Sequence, residues 1–426
     1  VLCLSAKDGS LHWTYRPSGI DRRIIGNGRM ISRWPVRTGV VVEDGVGFCG
    51  AGLFPTSEGD FLCSFDTATG KERFRQTLDV SANGPMVASD DFLILPTGRT
   101  EPMAFSRQDG KRLGSIRGPG GDVVLTSGDL VLAGSGDINE RLDVSDAGTR
   151  RHLASLPGIR AVLSQDRAYV VSRTQLMAFD WARYLAIARK VGPLSGRFKK
   201  LRRAKDEASV EKRNSLKKEI DALKAELAGC QLWCVPCDTG DSLLLAGQNV
   251  IAGGSGRVNV YDAKAGTKAW SAEIDGRAHA LAVADGRLFV GTSHGAIICF
   301  APDGQAPGSV LVEPSLERGG AIDAFALDGN SDIDPEGNGL LNEQAQMLLD
   351  QTGVTQGICL LLDGGAPLAC ALAQRSQLRI LCVEPDPDRR ARARKWLARA
   401  GLAGSRIVLH DVDREQLPYP DRFANL

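Results

Sequence analysis

Through the first 300 residues, apolar and polar positions alternate with a period of two in short runs broken by glycine and aspartate. This is the pattern of half-buried strands joined by tight turns. Residues 258–270, VNVYDAKAGTKAW, show the unit whole: Val258 and Val260 lie on one face of a strand, Asp262 to Gly266 form a turn, and Lys268 to Trp270 begin the next strand. Variants recur as CLSAKDGSLHW at Cys3, SFDTATGKERF at Ser64, AFSRQDGKRL at Ala104, DVSDAGTRRHL at Asp143, AFDW at Ala178, VYDAKAGTKAW at Val260 and CFAPDG at Cys299. Aligned on Leu4, Phe65, Phe105, Val144, Phe179, Tyr261 and Phe300, the copies repeat at roughly 35 to 40 residues where no insertion intervenes, the interval of a four-stranded propeller blade. The position before it holds Cys3, Ser64, Ala104, Ala178, Val260 and Cys299, which predicts a small buried side chain. One blade cannot bury both faces of its sheet, so the blades must stack.

Two stretches interrupt this pattern. Residues 16–40 carry Arg22, Arg23, Arg29, Arg33 and Arg37 with Trp34 and Pro35, either a cationic mouth for an anionic ligand or a surface loop anchored by Trp34. Residues 181–229 lose the period of two and gain helix formers. There Leu216, Ile220, Leu223 and Leu227 make a narrow apolar seam, and Gly192, Pro193 and Gly196 predict a break from an earlier helix bearing Tyr184, Leu185 and Ile187. An inserted helical hairpin follows. Residues 197–227 hold 11 basic and 6 acidic side chains. Interleaved charges with few aromatics favour a protein partner, met through this hairpin or a propeller face, over nucleic acid.

Residues 314–352 read as an acidic, glycine-rich linker and an amphipathic helix ending at Gly353. Asp328, Asn330, Asp332 and Asp334 alternate as in a calcium loop, but Ile333 stands where the turn glycine belongs and Gly339 where the closing glutamate belongs, so no calcium site is expected. Residues 353–426 change grammar. ICLLLD is a buried strand, GGAPLACALAQ opens a helix with Pro367 in its first turn, LRILCVE is a second strand, a helix stops at Gly401, and RIVLHDVD is a third strand. Strand, glycine turn, helix and strand ending in Glu384, 19 residues after Gly365, make a βαβ nucleotide-binding unit.

The fold class expected is therefore mainly β: a propeller of seven to eight blades (1–180 and 230–313) with an inserted helical hairpin (181–229), then a linker and a partial Rossmann-like α/β domain (353–426). A chain of 426 residues exceeds what one core supports, which agrees. A net charge of +1 with 43% hydrophobic residues excludes a polyanion binder by bulk charge, and no apolar run is long enough to span a bilayer. Ten cysteines are too few for a disulfide scaffold. Cys230, Cys234 and Cys237 have the spacing of part of a zinc set without a fourth ligand nearby, or simply pack; no metal site is assigned. The five histidines are scattered, and no Ser–His–Asp order is defensible, so the catalytic residues are unknown.

Residues 66–74 and 262–270, with Trp13 and Trp270 at the docking position and Phe74 in place of one tryptophan, resemble the tryptophan-docking repeat of pyrroloquinoline-quinone-type propellers over about residues 1–313. That family usually closes with eight blades, so seven copies imply a missing N-terminal part or a strand supplied from elsewhere. The resemblance implies cell-envelope or periplasmic company, though the residues fix no compartment. Its enzymes hold the quinone with calcium, acidic and amide ligands, and often a disulfide between adjacent cysteines. This chain has no such pair and no assignable ligand set, so neither quinone nor calcium is expected, and a quinoprotein dehydrogenase is kept only as an alternative.

Residues 353–426 resemble the first half of a class I S-adenosylmethionine-dependent methyltransferase domain. The resemblance implies S-adenosylmethionine as cofactor, with Asp363, Gly364 and Gly365 as the first motif, Glu384 as the ribose-binding acid and Asp413 as the adenine-side acid. The glycine turn departs from the family in packing its two glycines together. The function expected is a scaffold or ligand-recognition propeller coupled to a methyltransferase-like module, and the alternative is an active methyltransferase whose propeller presents the substrate.

Overall fold

The computed structural model describes residues 1–26, 29–53, 59–121, 123–134, 140–201, 206–301, 335–362, 365–399, 401–404, 406–413 and 415–426. The chain divides into two compact units, one of Val1–Ile20 and Trp34–Gly308, the other of Asp21–Arg33 and Ser309–Leu426.

The first unit is a series of antiparallel sheets. Strands β1 (Leu2–Leu4) and β2 (Leu11–Thr14) pair first; β3 (Arg23–Gly26) and β4 (Arg29–Ser32) form a hairpin that belongs to the second unit. Then come four meanders. They are β5 (Val41–Glu43), β6 (Val46–Ala51), β7 (Asp60–Asp66) and β8 (Glu72–Leu78); β9 (Val87–Ala88), β10 (Phe92–Leu95), β11 (Met103–Ser106) and β12 (Arg112–Ser115); β13 (Val123–Ser127), β14 (Leu130–Gly134), β15 (Arg141–Asp146) and β16 (His152–Pro157); and β17 (Arg160–Leu163), β18 (Arg167–Val171) and β19 (Gln175–Asp180), closed by β20 (Gln231–Pro236) after helices α1 (Trp181–Leu201) and α2 (Glu207–Ala228). A five-stranded sheet of β21 (Ser242–Ala246), β22 (Asn249–Asp262), β23 (Lys268–Ala284), β24 (Arg287–Thr292) and β25 (Ile297–Phe300) follows, in which the long β23 ends one blade and begins the next. Buried clusters join neighbouring sheets in chain order, such as Leu62, Leu93, Leu95 and Phe105 between the first two meanders and Tyr169, Ala178, Val250 and Tyr261 further on. No closed sheet is found among the described residues.

A β-bulge marks the same place in six copies of the repeat, at Cys3/Leu4, Ser64/Phe65, Ala104/Phe105, Val144/Ser145, Ala178/Phe179 and Val260/Tyr261. In each uninterrupted copy the second of these residues pairs with the residue seven positions on, as Phe65 with Glu72 and Tyr261 with Lys268. This register corrects the sequence alignment by one residue. Ser145, not Val144, is the counterpart of Phe65; it is fully buried and donates its hydroxyl to the Arg117 carbonyl at 2.7 Å. A one-residue slip exchanges the two faces of a strand, and with serine in the aromatic slot the hydrophobic pattern offered no warning. The preceding slot is closed in Ser64, Ala104 and Ala178, but Cys3 and Val260 are only half-buried and Cys299 is exposed, so the expectation of a buried slot fails at those three copies.

The docking aromatics cross from one sheet to the turn of the next. A methyl group built on Gly70 would lie 2.7 Å from the Trp13 ring, one on Gly110 2.5 Å from Phe74, and one on Gly266 2.7 Å from Trp233. All three glycines have φ near +70°, so the turn needs glycine twice, for the backbone and for the ring above it. Trp13 and Trp233 donate their indole N–H to Thr67 and Ala263 carbonyls. Trp233 was hidden from the sequence because the helices separate it from its strand partner. Trp270, expected to dock likewise, is 40% exposed and meets Phe300 edge-on at 5.0 Å. In the third meander the pairing is inverted: Gly114 holds the aromatic position and Arg150 the turn position, at φ +56°.

The helices are spliced into one such turn. Asp66, Asp146 and Asp262 accept backbone N–H groups within their turns; Asp180, at the same place, accepts Arg183 N–H at 3.0 Å and so caps α1, while its own N–H bonds the Cys230 carbonyl where the strand resumes. The break expected at Gly192, Pro193 and Gly196 is absent, and α1 runs through all three. Gly192 serves close approach instead: a methyl there would sit 3.3 Å from the His152 carbonyl, and Tyr184 donates to the Ser155 carbonyl at 2.7 Å, so α1 lies against β16. Leu216 and Ile220 of the expected seam are buried, and Leu223 and Leu227 pack against the core that holds Trp181, Tyr184, Ile187 and Val191.

In the second unit, α3 (Pro335–Thr352) ends at Gly353, φ +66°. Strands β26 (Gln356–Leu362), β27 (Gln377–Val383) and β28 (Ile407–His410) form a parallel sheet in that order, with α4 (Gly365–Arg375) and α5 (Pro387–Arg399) between them. Buried Cys359, Ala369, Leu372, Ile380, Leu397 and Ile407 form its core.

Candidate functional site

The parallel register sets the ends of the three strands in one row, Leu362 opposite Val383 and Val383 opposite His410. The residues that follow are all acidic: Asp363, Glu384 and Asp411. Asp363 and Gly364 lie outside the described residues. Gly365 opens α4 with φ +67°, and Pro367 sits in the first turn, where its missing N–H has no helical partner to lose. Glu384, 13% exposed in its side chain, accepts the Asp386 N–H at 3.1 Å and lies 3.6 Å from the Arg389 guanidinium. Arg390 spans two strand ends, donating to the Glu384 carbonyl at 2.7 Å and to the Asp411 carboxylate at 3.0 Å. Asp413 is two residues beyond the row, exposed, and accepts the Glu415 N–H. The sequence reading passed over Asp411; the signal available was that Asp411, not Asp413, immediately follows the strand.

On its other edge β26 is met by the last residues of the chain. Asn425 N–H bonds the Ile358 carbonyl at 2.7 Å, Leu360 N–H bonds the Leu426 carbonyl at 2.9 Å, and the Asn425 side chain accepts Ile358 N–H at 2.9 Å. Gly357, φ +112°, leaves room for that side chain, which a methyl group would approach to 2.3 Å. β27 and β28 thus lie to one side of β26, and the irregular segment at Asn425 and Leu426 to the other.

His410 is buried at the end of β28. Arg23 of the β3–β4 hairpin donates to its Nε2 at 2.6 Å, so the ring carries its proton on Nδ1 and donates it to the Tyr419 hydroxyl, also at 2.6 Å. Burial first, then the Arg23 guanidinium, pushes the imidazole down to about 4 against a weaker opposing pull from Asp21. Arg23 is itself held by both Asp21 oxygens, and its backbone N–H by the Pro418 carbonyl. Part of the arginine-rich insertion is thus a structural clasp. Trp34 anchors the other part, buried, with its N–H on the Gly59 carbonyl, and Arg37 donates to the Leu53 carbonyl and Asn83.

In the first unit Asp143, His152 and Ser155 do come together. Ser155 donates to Asp143 at 2.6 Å, and His152 Nε2 lies 3.1 Å from the Ser155 hydroxyl and 3.4 Å from Asp143. One imidazole nitrogen faces both partners, and the serine proton already points at the carboxylate. A nucleophilic relay needs the imidazole between them, one nitrogen to each, so this is a structural cluster. Burial raises the Asp143 carboxyl, but hydrogen bonds from His152, Arg141 and Ser155 outweigh it and hold the group at about 2. Cys230 and Cys237 are buried and Cys234 exposed; among the described residues no three His, Cys, Asp or Glu side chains gather as a metal set. The expected calcium-loop residues, Asp328 to Asp334, lie outside the described residues. Among the described residues no helix is long and apolar enough to cross a membrane.

The family model described as outer membrane protein assembly factor BamB matches residues 1–139 and 217–321. The stretch between holds β15 and β16, with Ser145 and Arg150 in place of aromatic and glycine, and most of the inserted helices. Comparison with the curated proteins gives no match. Among solved structures, the computationally designed Ika8 protein superposes with a TM-score of 0.44 and 12% identity, covering 62% of this chain and 70% of its own. BamB from Moraxella catarrhalis superposes with a TM-score of 0.40 and 15% identity, covering 66% of this chain and 87% of its own. Matched over more than half its length by that family model, the chain belongs to the family of the outer membrane protein assembly factor BamB.

Proposed function

We propose that the propeller is a docking scaffold and that the α/β module carried with it binds an adenosyl nucleoside of the S-adenosylmethionine class. The family's description is that of an assembly factor, which supports the scaffold half. One observation carries the other half: the aligned strand ends, with Glu384 and Asp411 following in one row beside the start of α4. Ligands of open parallel sheets bind in the crevice outside the carboxyl ends of the strands, with a carboxylate after the second strand taking ribose hydroxyls. On this reading Gly365, with Asp363 and Gly364, lets backbone approach the ligand, Glu384 holds the ribose, Asp413 lies toward the base, and Arg390 keeps the two acidic loops together. The proposal is one of binding, not of methyl transfer.

Calorimetric titration of the full chain with S-adenosylmethionine and S-adenosylhomocysteine tests it. Saturable heat that weakens about tenfold or more in Glu384→Ala, as loss of a hydrogen bond to a charged group implies, is expected. Absence of heat at millimolar ligand, or an unchanged affinity in that variant, removes the nucleoside half.

A further inference from the structure

Cys49 on β6 and Cys63 on β7 are directly opposed in the antiparallel register, so their side chains leave the same face of the sheet. Opposed residues in such a pair have Cα atoms about 4.5 to 5.5 Å apart, inside the range of about 4.4 to 6.8 Å that a disulfide spans. Both are fully buried and both are free thiols. They share a small core with Tyr15 and Phe65, against which Val1 and Trp13 pack.

We propose that Cys49 and Cys63 form a thiol–disulfide exchange site, converted to a cross-strand disulfide by a low-molecular-weight disulfide. The Cys63 thiolate attacks one sulfur of that disulfide, giving a mixed disulfide and releasing a thiolate that takes up a proton. Cys49 loses its proton and attacks the Cys63 sulfur, closing the protein disulfide and releasing the second small thiol. Two protein thiols are oxidised and one small disulfide is reduced to two thiols. The register sets the two thiols side by side, and the neighbouring Cys49 lowers the Cys63 group, which favours Cys63 as the first attacker.

The cover over the pair is formed by β1 and β2, held by the Trp13 N–H on Thr67 and by Tyr15 donating to Glu72 at 2.6 Å. Local opening that parts Trp13 and Tyr15 from Phe65 is what lets a small disulfide reach the thiols. Exchange therefore runs at the rate at which the cover lifts.

The full chain, with the incompletely buried Cys3, Cys234 and Cys299 changed to serine, is incubated with oxidised glutathione, acid-quenched, unfolded, alkylated and mapped by mass spectrometry. A peptide pair linked through Cys49 and Cys63, accompanied by a rise in Tm that Cys49→Ser abolishes, is the expected result. Recovery of both cysteines as alkylated thiols, or of a stable glutathione adduct on either, overturns the exchange site. Trp13→Ala should speed formation of the link; an unchanged rate overturns the role of the cover.

Discussion

The docking of Trp233 on the Gly266 turn makes a quantitative prediction about what glycine does there. Gly266 has φ +74°, and a side chain in that region costs about 1 to 2 kcal/mol. Its methyl would also lie 2.7 Å from the indole, which must then leave the turn. A fully buried aromatic replaced by alanine costs about 3 to 5 kcal/mol, and half-buried Trp233 on that scale is worth about 2. Gly266→Ala should therefore lose about 3 kcal/mol or more. Gly286 is the control, since it shares the conformation, φ +71°, with nothing within 4 Å, and Gly286→Ala should lose only the backbone part. In the double variant Trp233→Ala/Gly266→Ala the ring is gone, so the loss should fall about 2 kcal/mol short of the sum of the singles. The assay is denaturant unfolding of the full chain followed by far-ultraviolet circular dichroism, which does not rely on the tryptophan removed. Equal losses in the two glycine variants, or strict additivity in the cycle, would refute the docking argument.

His410 carries a pH signature. Its folded value near 4 lies below the ordinary 6.5, so the unfolded chain binds the extra proton; stability from this group is complete above about 6.5 and falls as pH drops toward 4, by about 3 kcal/mol in all. Arg23 and Asp21 from the hairpin, Arg394 from α5 and Tyr419 face it. Unfolding curves between pH 7 and 4 should show this slope, and His410→Gln should flatten it; an identical slope in the variant would exclude the clasp. Asp143 acts lower: its stabilisation is full above about 3.8 and lost as pH falls toward 2. Asp143→Ala leaves Ser155 and Arg141 without their acceptor, so a loss of about 2 kcal/mol in chemical denaturation at neutral pH is expected, and a neutral variant would contradict the cluster.

The repeat was legible because turn aspartates, glycines and period-two strands are local features, written in consecutive residues. The same holds for the strands and helices after Gly353, whose continuous apolar runs and helix-stopping glycines lie close to where the structure has them. Local pattern failed wherever a distant partner decided the outcome. Ser145 took an aromatic's place because the Arg117 carbonyl accepts its hydroxyl; α1 ran through Pro193 and two glycines because it lies on β16; and Trp233 docks beside a turn that the sequence tied to another tryptophan. Likewise Cys49 and Cys63 look unrelated until β6 and β7 pair, and Arg23 and His410 stand 387 positions apart. Sequence alone determined which segments are strands, turns and helices, since those depend on backbone preferences and periodicity. Which side chains share a face, a hydrogen bond or a buried charge depends on register and packing between remote segments, and only the tertiary structure decided it.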